Sequence, residues 1–203
     1  MYELVLVSQS PRRSHILAKT DYKFRTDSVK VSEIIDKNLN LDKAIMSVAR
    51  QKAEAYIEKH KRLKSQKILL LSADTVVVFK DQVLGKPKDK NEAFQFLSLL
   101  SGKTHSVKTG LCVYDLYSCK CVCDLATTYI KFKNLTGKEI NNYINSGEPM
   151  DKAGAYGIQG LASQFVEERQ GDYENVVGLP MYLFEKIVAE NGWKIDKRKS
   201  KSN

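Results

Sequence analysis

Asp74 stands inside the most apolar segment of the sequence, residues 68–79, which has the composition of a central β-strand. Strand interiors disfavour aspartate, and a buried carboxylate requires a cationic partner, a metal ion or a proton. The pattern therefore predicts a functional carboxylate at this position. The alternative is an aspartate that backbone donors satisfy at a bulge in the strand.

A second cluster of reactive groups follows a predicted first strand, residues 4–7. Ser10 suits a helix N-cap and Pro11 suits the first helical position, so two arginines fall in the first turn. Cations there oppose the helix dipole, which predicts a compensating anion such as phosphate. The candidate ligands of that anion are Ser8, Ser10, Arg12 and Arg13. The alternative is a solvated basic turn with an ordinary serine cap.

Three further charged residues stand in unusual surroundings. Lys52 lies on the apolar side of a predicted amphipathic helix, residues 41–63, so it should meet an anion or reach into a cleft. The alternative is a snorkelling lysine with its amine in water. Lys86 lies between a glycine and a proline, which would fix its backbone, although many surface turns share that composition. Glu33 is a lone acid among apolar neighbours, and its alternative is a plain loop carboxylate.

Gln159 lies in a glycine-dense segment, residues 147–160, that is too long to be a simple connector. Repeated glycine allows close approach of the backbone to a ligand, and the Gln159 amide offers a donor and an acceptor together. Such a group can read the edge of a nucleobase. The alternative is a loop that wraps a strand end and leaves Gln159 solvated.

The four cysteines are Cys112, Cys119, Cys121 and Cys123. The last three alternate, which predicts one face of a strand. Their spacing is not C-x-x-C and no histidine follows at ligand spacing, so reduced, partly buried thiols are favoured over a zinc site or a disulfide.

The composition indicates a globular chain with a basic end. The 203 residues are 42% hydrophobic, which suffices for a core, and the formal charge is +9. The start lacks the features of a signal peptide and no apolar run could span a bilayer, so we expect a soluble, cytoplasmic protein. We expect one domain of two lobes over residues 1–195 and a basic, disordered tail over residues 196–203, with disorder beginning after Trp193. A good share of the positive charge lies in Lys194, Lys197, Arg198, Lys199 and Lys201.

Periodicity and turn residues predict alternating strands and helices. The predicted helices cover residues 10–19, 41–63, 91–100, a capping-box helix from Thr136 to about Ser146, and a final helix from Pro180. The predicted strands cover residues 4–7, 22–26, 68–79, a hairpin of residues 104–117 and 119–132, and residues 165–168, followed by a polar turn at residues 171–175.

Taken together, these pieces resemble the Maf family of nucleotide pyrophosphatases. The matching pieces, in chain order, are residues 8–13, residues 49–53, residues 73–75, residues 85–87, residues 100–102 with His105, Thr109 and Gly110, residues 151–160 and residues 175–180. The resemblance implies an α/β fold with a long, curved mixed sheet and flanking helices. It further implies two lobes around a central cleft, as in the inosine triphosphate pyrophosphatases.

The resemblance also implies an activity and roles for individual residues. The activity is hydrolysis of a nucleoside triphosphate to the monophosphate and pyrophosphate, with Mg²⁺ or Mn²⁺, commonly by a homodimer. The residue types at Arg12, Thr75 and Gln159 are those of the branch that acts on dTTP and UTP, not the 7-methyl-GTP branch. The Asp74 counterpart is regarded as the catalytic proton acceptor, and the counterparts of Glu33, Lys52 and Lys86 are implicated in catalysis or phosphate binding.

Two roles for Asp74 stay open at this level. An aspartate with the ordinary pKa of about 3.9 is a poor base at neutral pH, so Asp74 and Glu33 are candidate ligands of the divalent metal. A pKa raised by burial would instead favour Asp74 as the general base.

The predicted function is removal of dTTP, UTP or modified pyrimidine nucleotides from the nucleotide pool. The alternative is a basic nucleic-acid-binding or cell-division regulatory protein without essential catalysis. Against it, the sequence has no aromatic ladder of the RNA-recognition type, and the basic excess gathers near the end of the chain.

Overall fold

The computed structural model describes residues 1–31 and 38–198. Within these ranges the strands are β1 (Glu3–Val7), β2 (Phe24–Asp27), β3 (Ile68–Phe79), β4 (Gln82–Leu84), β5 (Thr104–Asp115), β6 (Lys120–Phe132) and β7 (Val166–Gln170). The α-helices are α1 (Pro11–Leu17), α2 (Leu41–Lys59), α3 (Lys90–Leu100), α4 (Gly137–Asn145), α5 (Tyr173–Val177) and α6 (Met181–Glu190). No helix of the described residues combines the length and apolar character required to cross a membrane.

The strands form one mixed sheet in the order β2-β1-β3-β5-β6-β7, with β4 paired to β3. Strand β1 runs parallel to both β2 and β3, and Leu6 lies level with Thr26 and Leu71. The pairs β3/β4 and β6/β7 are antiparallel. The α/β class and the mixed sheet with flanking helices, predicted from the sequence, are therefore confirmed.

One compact unit comprises Met1–Asp74, Thr109–Ala126 and Gly178–Asn203. Its core includes a cluster in which the buried side of α2 packs against β1 and β3. The buried members of this cluster are Val5, Val7, Ala49, Ala53, Tyr56, Ile68, Leu70, Cys112 and Leu116. Helix α2 also passes close to the β5 backbone, because a Cβ at Gly110 would lie only 2.8 Å from the Ile45 carbonyl oxygen. Glycine at this position therefore fixes how near α2 can lie.

The other unit comprises Thr75–Lys108 and Thr127–Val177. Its core includes a group of rings, in which Phe132 makes edge-on contacts to His105, Tyr156 and Phe165. Helix α4 begins with the predicted capping box, since Thr136 and Glu139 bond reciprocally to each other's backbone amides.

Several local predictions differ from the structure. The helix predicted to run to residue 63 ends at Lys59, and Lys61–Leu63 form a separate 3-10 turn. The predicted polar turn at residues 171–175 overlaps the first three residues of helix α5, because the Asp172 carboxylate accepts a bond from the Asn175 amide 2.7 Å away and so caps the helix. Cys119 lies in the turn before β6 with a φ of +57°, so it does not share a strand face with the other cysteines.

Residues 194–198, expected to be disordered, instead add to the sheet of the first unit. Ile195 bridges Tyr2 and Lys197 bridges Tyr22. The Tyr2 amide donates to the Lys194 carbonyl at 2.7 Å, and Ile195 is 5% exposed. The apolar side chain of Ile195 therefore holds this part of the basic end in place. Residues 199–203 lie outside the described residues.

Candidate active site

Lys52 and Asp74 form a charged pair in the first unit. The Lys52 Nζ lies 2.6 Å from Asp74 Oδ1 and 3.4 Å from the Ala73 carbonyl oxygen. The two side chains are only 16% and 15% exposed. Each charge thus compensates the burial of the other. The prediction that Lys52 meets an anion is confirmed, and the snorkelling alternative is wrong.

The positions of these side chains follow from the spacing of helix and strand residues. The Ser72 hydroxyl donates to the Ala49 carbonyl at 2.7 Å, which ties β3 to α2. Asp74 lies two residues beyond Ser72 on the strand, and Lys52 lies three residues beyond Ala49 on the helix. Both spacings keep a side chain on the same face of its element. The same contact between α2 and β3 therefore brings the ammonium to the carboxylate.

Asp74 lies where β3 becomes less buried. Residues 74–76 are half-buried, whereas the rest of this strand is buried. In place of the backbone donors at a bulge that formed the alternative interpretation, Asp74 has the Lys52 ammonium as its hydrogen-bond donor.

The segment after β1 is held together by Ser8. The Ser8 hydroxyl accepts bonds from the Ser10 amide at 3.1 Å and from Arg13 at 3.4 Å. Arg13 also donates through Nε to the Gly178 carbonyl at 2.8 Å. Pro11 occupies the first turn of α1 as predicted, and Ser10 is the N-cap residue, but its side chain makes no capping bond. Arg12 is half-buried.

The parallel register of β1 and β3 brings the segment after β1 alongside Asp74. Leu6 pairs with Leu71, so continuing the register places Ser8 level with Ala73, next to Asp74. Ser8 directly follows the last residue of β1, whereas Asp74 lies within β3, three residues beyond the last residue that pairs with β1. The space beyond the carboxyl end of a parallel strand, here β1, is a usual location of ligand sites in open α/β sheets.

Three further sequence-predicted residues belong to the second unit. Thr75 is half-buried, whereas Lys86 and Gln159 are exposed. The residue before Lys86, Gly85, accepts a bond at 3.0 Å from the amide of Gly154 in the glycine-dense segment. The loops that carry Lys86 and Gln159 are therefore joined through their backbones.

The glycines of residues 147–160 make room for side chains of the same unit. A Cβ on Gly160 would collide with the Glu148 carboxylate, and one on Gly154, whose φ is +65°, would lie 2.8 Å from Val77. Glu148 in turn accepts bonds from the Tyr143 hydroxyl at 3.0 Å and the Leu161 amide at 2.9 Å. Burial, followed by the nearby Glu148 charge, raises the pKa of Tyr143. These contacts stabilise the conformation of residues 147–160.

The donor set at Asp74 suits a magnesium-like ion only in part. Such an ion commonly takes one or two carboxylates and fills its other positions with waters and substrate phosphates, which Asp74 alone can begin to satisfy. In residues 1–31 and 38–198, three or more metal-ligating side chains converge at Cys112, Cys121 and Cys123, and not at Asp74. Glu33, the second predicted ligand, lies outside the described residues.

One contributor was absent from the sequence-based site. The Gly178 carbonyl holds Arg13, although it lies 165 residues further along the chain. No sequence pattern marks this ligand, because every residue has a backbone carbonyl.

Several named proteins are similar in sequence to this chain over most of its length. Proteins similar to this chain include the dTTP/UTP pyrophosphatases of Bdellovibrio bacteriovorus, 45% identical over 92% of this chain and 97% of its relative, and of Clostridium perfringens (strain SM101 / Type A), 46% identical over 88% and 92%. The protein of the same name from Caldicellulosiruptor saccharolyticus is 40% identical over 97% of this chain and 98% of its own.

Among solved structures, the Staphylococcus aureus Ham1 protein covers 93% of this chain and 99% of its own, with a TM-score of 0.48 and 12% identity. That likeness is too loose to assign a fold or a site. The family model described as Maf-like protein, in contrast, matches residues 3–191. With this match over nearly the whole chain, and relatives 40–46% identical over most of its length, the protein belongs to the Maf family.

Proposed function

We propose that this protein hydrolyses dTTP and UTP to the monophosphate and pyrophosphate. The observation that carries the proposal is the largely buried Lys52–Asp74 pair, located beside the basic segment of residues 8–13 that follows the carboxyl end of β1. A buried carboxylate next to cations suits hydrolysis of a phosphoanhydride, in which charge must be neutralised and a water oriented. The names of the similar proteins supply the substrate.

The residues have distinct proposed roles. Asp74 orients the water that attacks the α-phosphorus, and Lys52 fixes the carboxylate through its bond to Oδ1. Arg13, anchored by Ser8 and Gly178, neutralises phosphate charge together with Lys86. Ser8 and Ser10 are proposed as neutral phosphate ligands. Arg12, Thr75 and Gln159 are proposed to select the base.

The proposed cofactor is Mg²⁺ or Mn²⁺, held by Asp74 and by Glu33. When bound, such an ion neutralises phosphate oxygens and acidifies a bound water. The resemblance to the family further supports a cytoplasmic homodimer that removes unwanted or modified pyrimidine nucleotides. We propose no membrane or nucleic-acid partner.

The direct test is pyrophosphate release from a panel of canonical and base-modified triphosphates, with Mg²⁺, with Mn²⁺ and with a chelator. We expect turnover of dTTP and UTP well above that of the purine nucleotides, and loss of turnover with the chelator. Absence of pyrophosphate release from every nucleotide at either metal would overturn the proposal. Release of single phosphates instead of pyrophosphate would contradict attack at the α-phosphorus.

Base selection gives a separate prediction at Gln159. The variant Gln159→Ala should lower kcat/KM for dTTP and UTP by about 10-fold, since one lost hydrogen bond of this kind is worth on the order of 1 kcal/mol or more. It should change inhibition by inorganic triphosphate much less. Gln164→Ala is the matched control, because Gln164 is an exposed glutamine in the same region. Equal losses for nucleotide and triphosphate would count against base reading.

A further inference from the structure

Three cysteines of the first unit converge. Cys112 belongs to β5, whereas Cys121 and Cys123 belong to β6, the neighbouring strand. The Sγ atoms of Cys112 and Cys121 are 3.4 Å apart, and those of Cys121 and Cys123 are 3.8 Å apart. All three sulfurs lie within 4.8 Å of one another, and all three are free thiols.

These separations suit a single metal ion. A metal–sulfur bond of about 2.3 Å places sulfurs about 3.8–4.0 Å apart when the angles are tetrahedral or trigonal. The three thiols could reach this spacing through small changes in side-chain torsion. A disulfide, in contrast, would use two of the sulfurs and leave the third without a role.

The surroundings favour a metal thiolate over a hydrated ion. Cys112 is buried in the apolar cluster of the first unit, and Cys121 and Cys123 pack against the same cluster. These apolar neighbours keep water away from the sulfurs, so a metal bound there would be held by the thiolates and not by a shell of waters.

We propose that Cys112, Cys121 and Cys123 form a three-thiolate site for one soft metal ion, with Cu⁺ preferred over Zn²⁺. Soft thiolates select these ions over Mg²⁺ or Mn²⁺. In the part of the chain that the structure describes, no histidine or carboxylate joins the cluster. Zn²⁺ sites in proteins are almost always four-coordinate, so a three-sulfur site fits Cu⁺ better. The proposal uses none of the residues assigned to nucleotide hydrolysis and stands independently of that activity.

The test is anaerobic titration of the full-length, reduced protein with Cu⁺ and, separately, with Zn²⁺, each against a chromophoric chelator. We expect one Cu⁺ per chain, a thiolate-to-metal charge-transfer absorption, and protection of three of the four thiols from alkylation. Zn²⁺ should bind at the same thiols but more weakly.

Single-residue variants define the ligands. Because loss of an outer-shell partner already weakens metal binding by about 10 to 100-fold, Cys121→Ser and Cys123→Ser should each weaken Cu⁺ binding by at least about 100-fold. Cys119→Ser is the matched control, since Cys119 is exposed in the turn before β6, and it should bind Cu⁺ as the parent does. Circular dichroism checks that each variant is folded.

Three results would overturn the proposal. They are the absence of saturable one-to-one binding, equal loss of binding in Cys119→Ser and Cys121→Ser, and a Cys112–Cys121 disulfide that forms in air and is not prevented by supplied Zn²⁺.

Discussion

The Lys52–Asp74 pair links stability and chemistry at the scale of single residues. Removing one member of a buried pair leaves the other charge uncompensated, whereas replacing both removes the problem. If Lys52 and Asp74 served stability alone, a variant with both residues replaced would recover both stability and activity. If Asp74 contacts the reacting groups, that variant would recover stability but not activity.

We predict that Asp74→Asn abolishes pyrophosphate release and costs up to about 3 kcal/mol of unfolding free energy, since the amide still accepts a bond from Lys52. The double variant Lys52→Met/Asp74→Leu should regain stability but remain inactive. Urea unfolding and turnover of dTTP, measured on the same preparations, check both parts. Activity near that of the parent in Asp74→Asn would remove Asp74 from the mechanism.

His105 is a titratable residue with a structural role. Burial lowers its pKa to about 4. Its Nε2 lies 2.8 Å from the Tyr156 hydroxyl, and its ring contacts Phe132 edge-on. His105 lies in β5, and its neutral, buried state is that of a structural histidine.

The lowered pKa makes a prediction about acid sensitivity. The unfolded chain binds a proton at His105 near pH 6.5 and the folded chain only near pH 4, so stability is present above pH 6.5 and is lost as the pH falls to 4. The full effect is on the order of 3 kcal/mol. His105→Gln should flatten this part of the profile, measured by urea unfolding. His15→Gln, at an exposed site, should retain the slope of the parent, and identical slopes for parent and His105→Gln would contradict the assignment.

At the scale of elements, helix α2 carries Lys52 and is positioned by contacts with two strands. Ser72 bonds it to β3, and Gly110 lets it lie close to β5. Because a helix moves as a rigid body, a small displacement at one end is transmitted to Lys52. The distance between α2 and the sheet thus controls the geometry of the charged pair.

We predict that Gly110→Ala destabilises the protein by about 1–3 kcal/mol, because the new Cβ would lie 2.8 Å from the Ile45 carbonyl oxygen. It should also lower kcat/KM about 10-fold or more by shifting Lys52. Gly137→Ala is the control, since no atom lies within 4 Å of its Cβ, and it should be neutral or slightly stabilising. Unchanged kcat/KM in Gly110→Ala would show that activity does not depend on the position of α2.

Elements with strong local signals were predictable from the sequence. Strand β3 occupies the predicted residues 68–79, and helix α4 begins at the predicted capping box. The Lys52–Asp74 pair was predictable only in part. The sequence indicates that each residue is an unusually placed charge, but it does not indicate that the two residues contact each other. Composition marks a misplaced charge, whereas only tertiary packing selects its partner.

The remaining contacts depend on groups that carry no local signal. The Gly178 carbonyl that holds Arg13 is a backbone group. Because every residue has a backbone carbonyl, no sequence pattern identifies this one as the partner of Arg13. Cys112 lies in a different strand from Cys121 and Cys123, so only the pairing of β5 and β6 joins them. Helix α5 was missed because its Asp172 cap was interpreted as part of a turn.

At the scale of the whole molecule, the formal charge of +9 and the basic end of the chain raise the question of whether the protein binds nucleic acids. A basic tail free in solution would supply salt-dependent affinity for nucleic acids. Residues 194–198 instead pair with the first unit, and Lys197 lies 2.6 Å from the Asp21 carboxylate. Arg198 donates through Nε to the Tyr22 carbonyl at 3.0 Å, so the cations of Lys197 and Arg198 are engaged in the fold.

Two truncations test this assignment. Removal of residues 199–203 takes away Lys199 and Lys201 and should leave dTTP turnover and stability unchanged. Truncation after Trp193 also removes Ile195 and its bridge to Tyr2, and should cost at least about 2 kcal/mol, the value of burying one isoleucine side chain. Urea unfolding and pyrophosphate release, measured on both proteins, check these expectations.

The same truncations weigh the enzyme against a nucleic-acid-binding protein. If binding to nucleic acid were the function, removal of residues 199–203 would weaken affinity for single-stranded DNA and RNA and reduce its salt dependence, because fewer counterions would be released. For an enzyme acting on free nucleotides, that affinity is weak in the parent and stays weak in the shorter chain, while kcat/KM for dTTP is retained. Residues 194–198 pair with the sheet, so truncation after Trp193 should also lower stability. If turnover is lost only in that shorter protein, the loss is explained by the damaged fold and not by the removed positive charge.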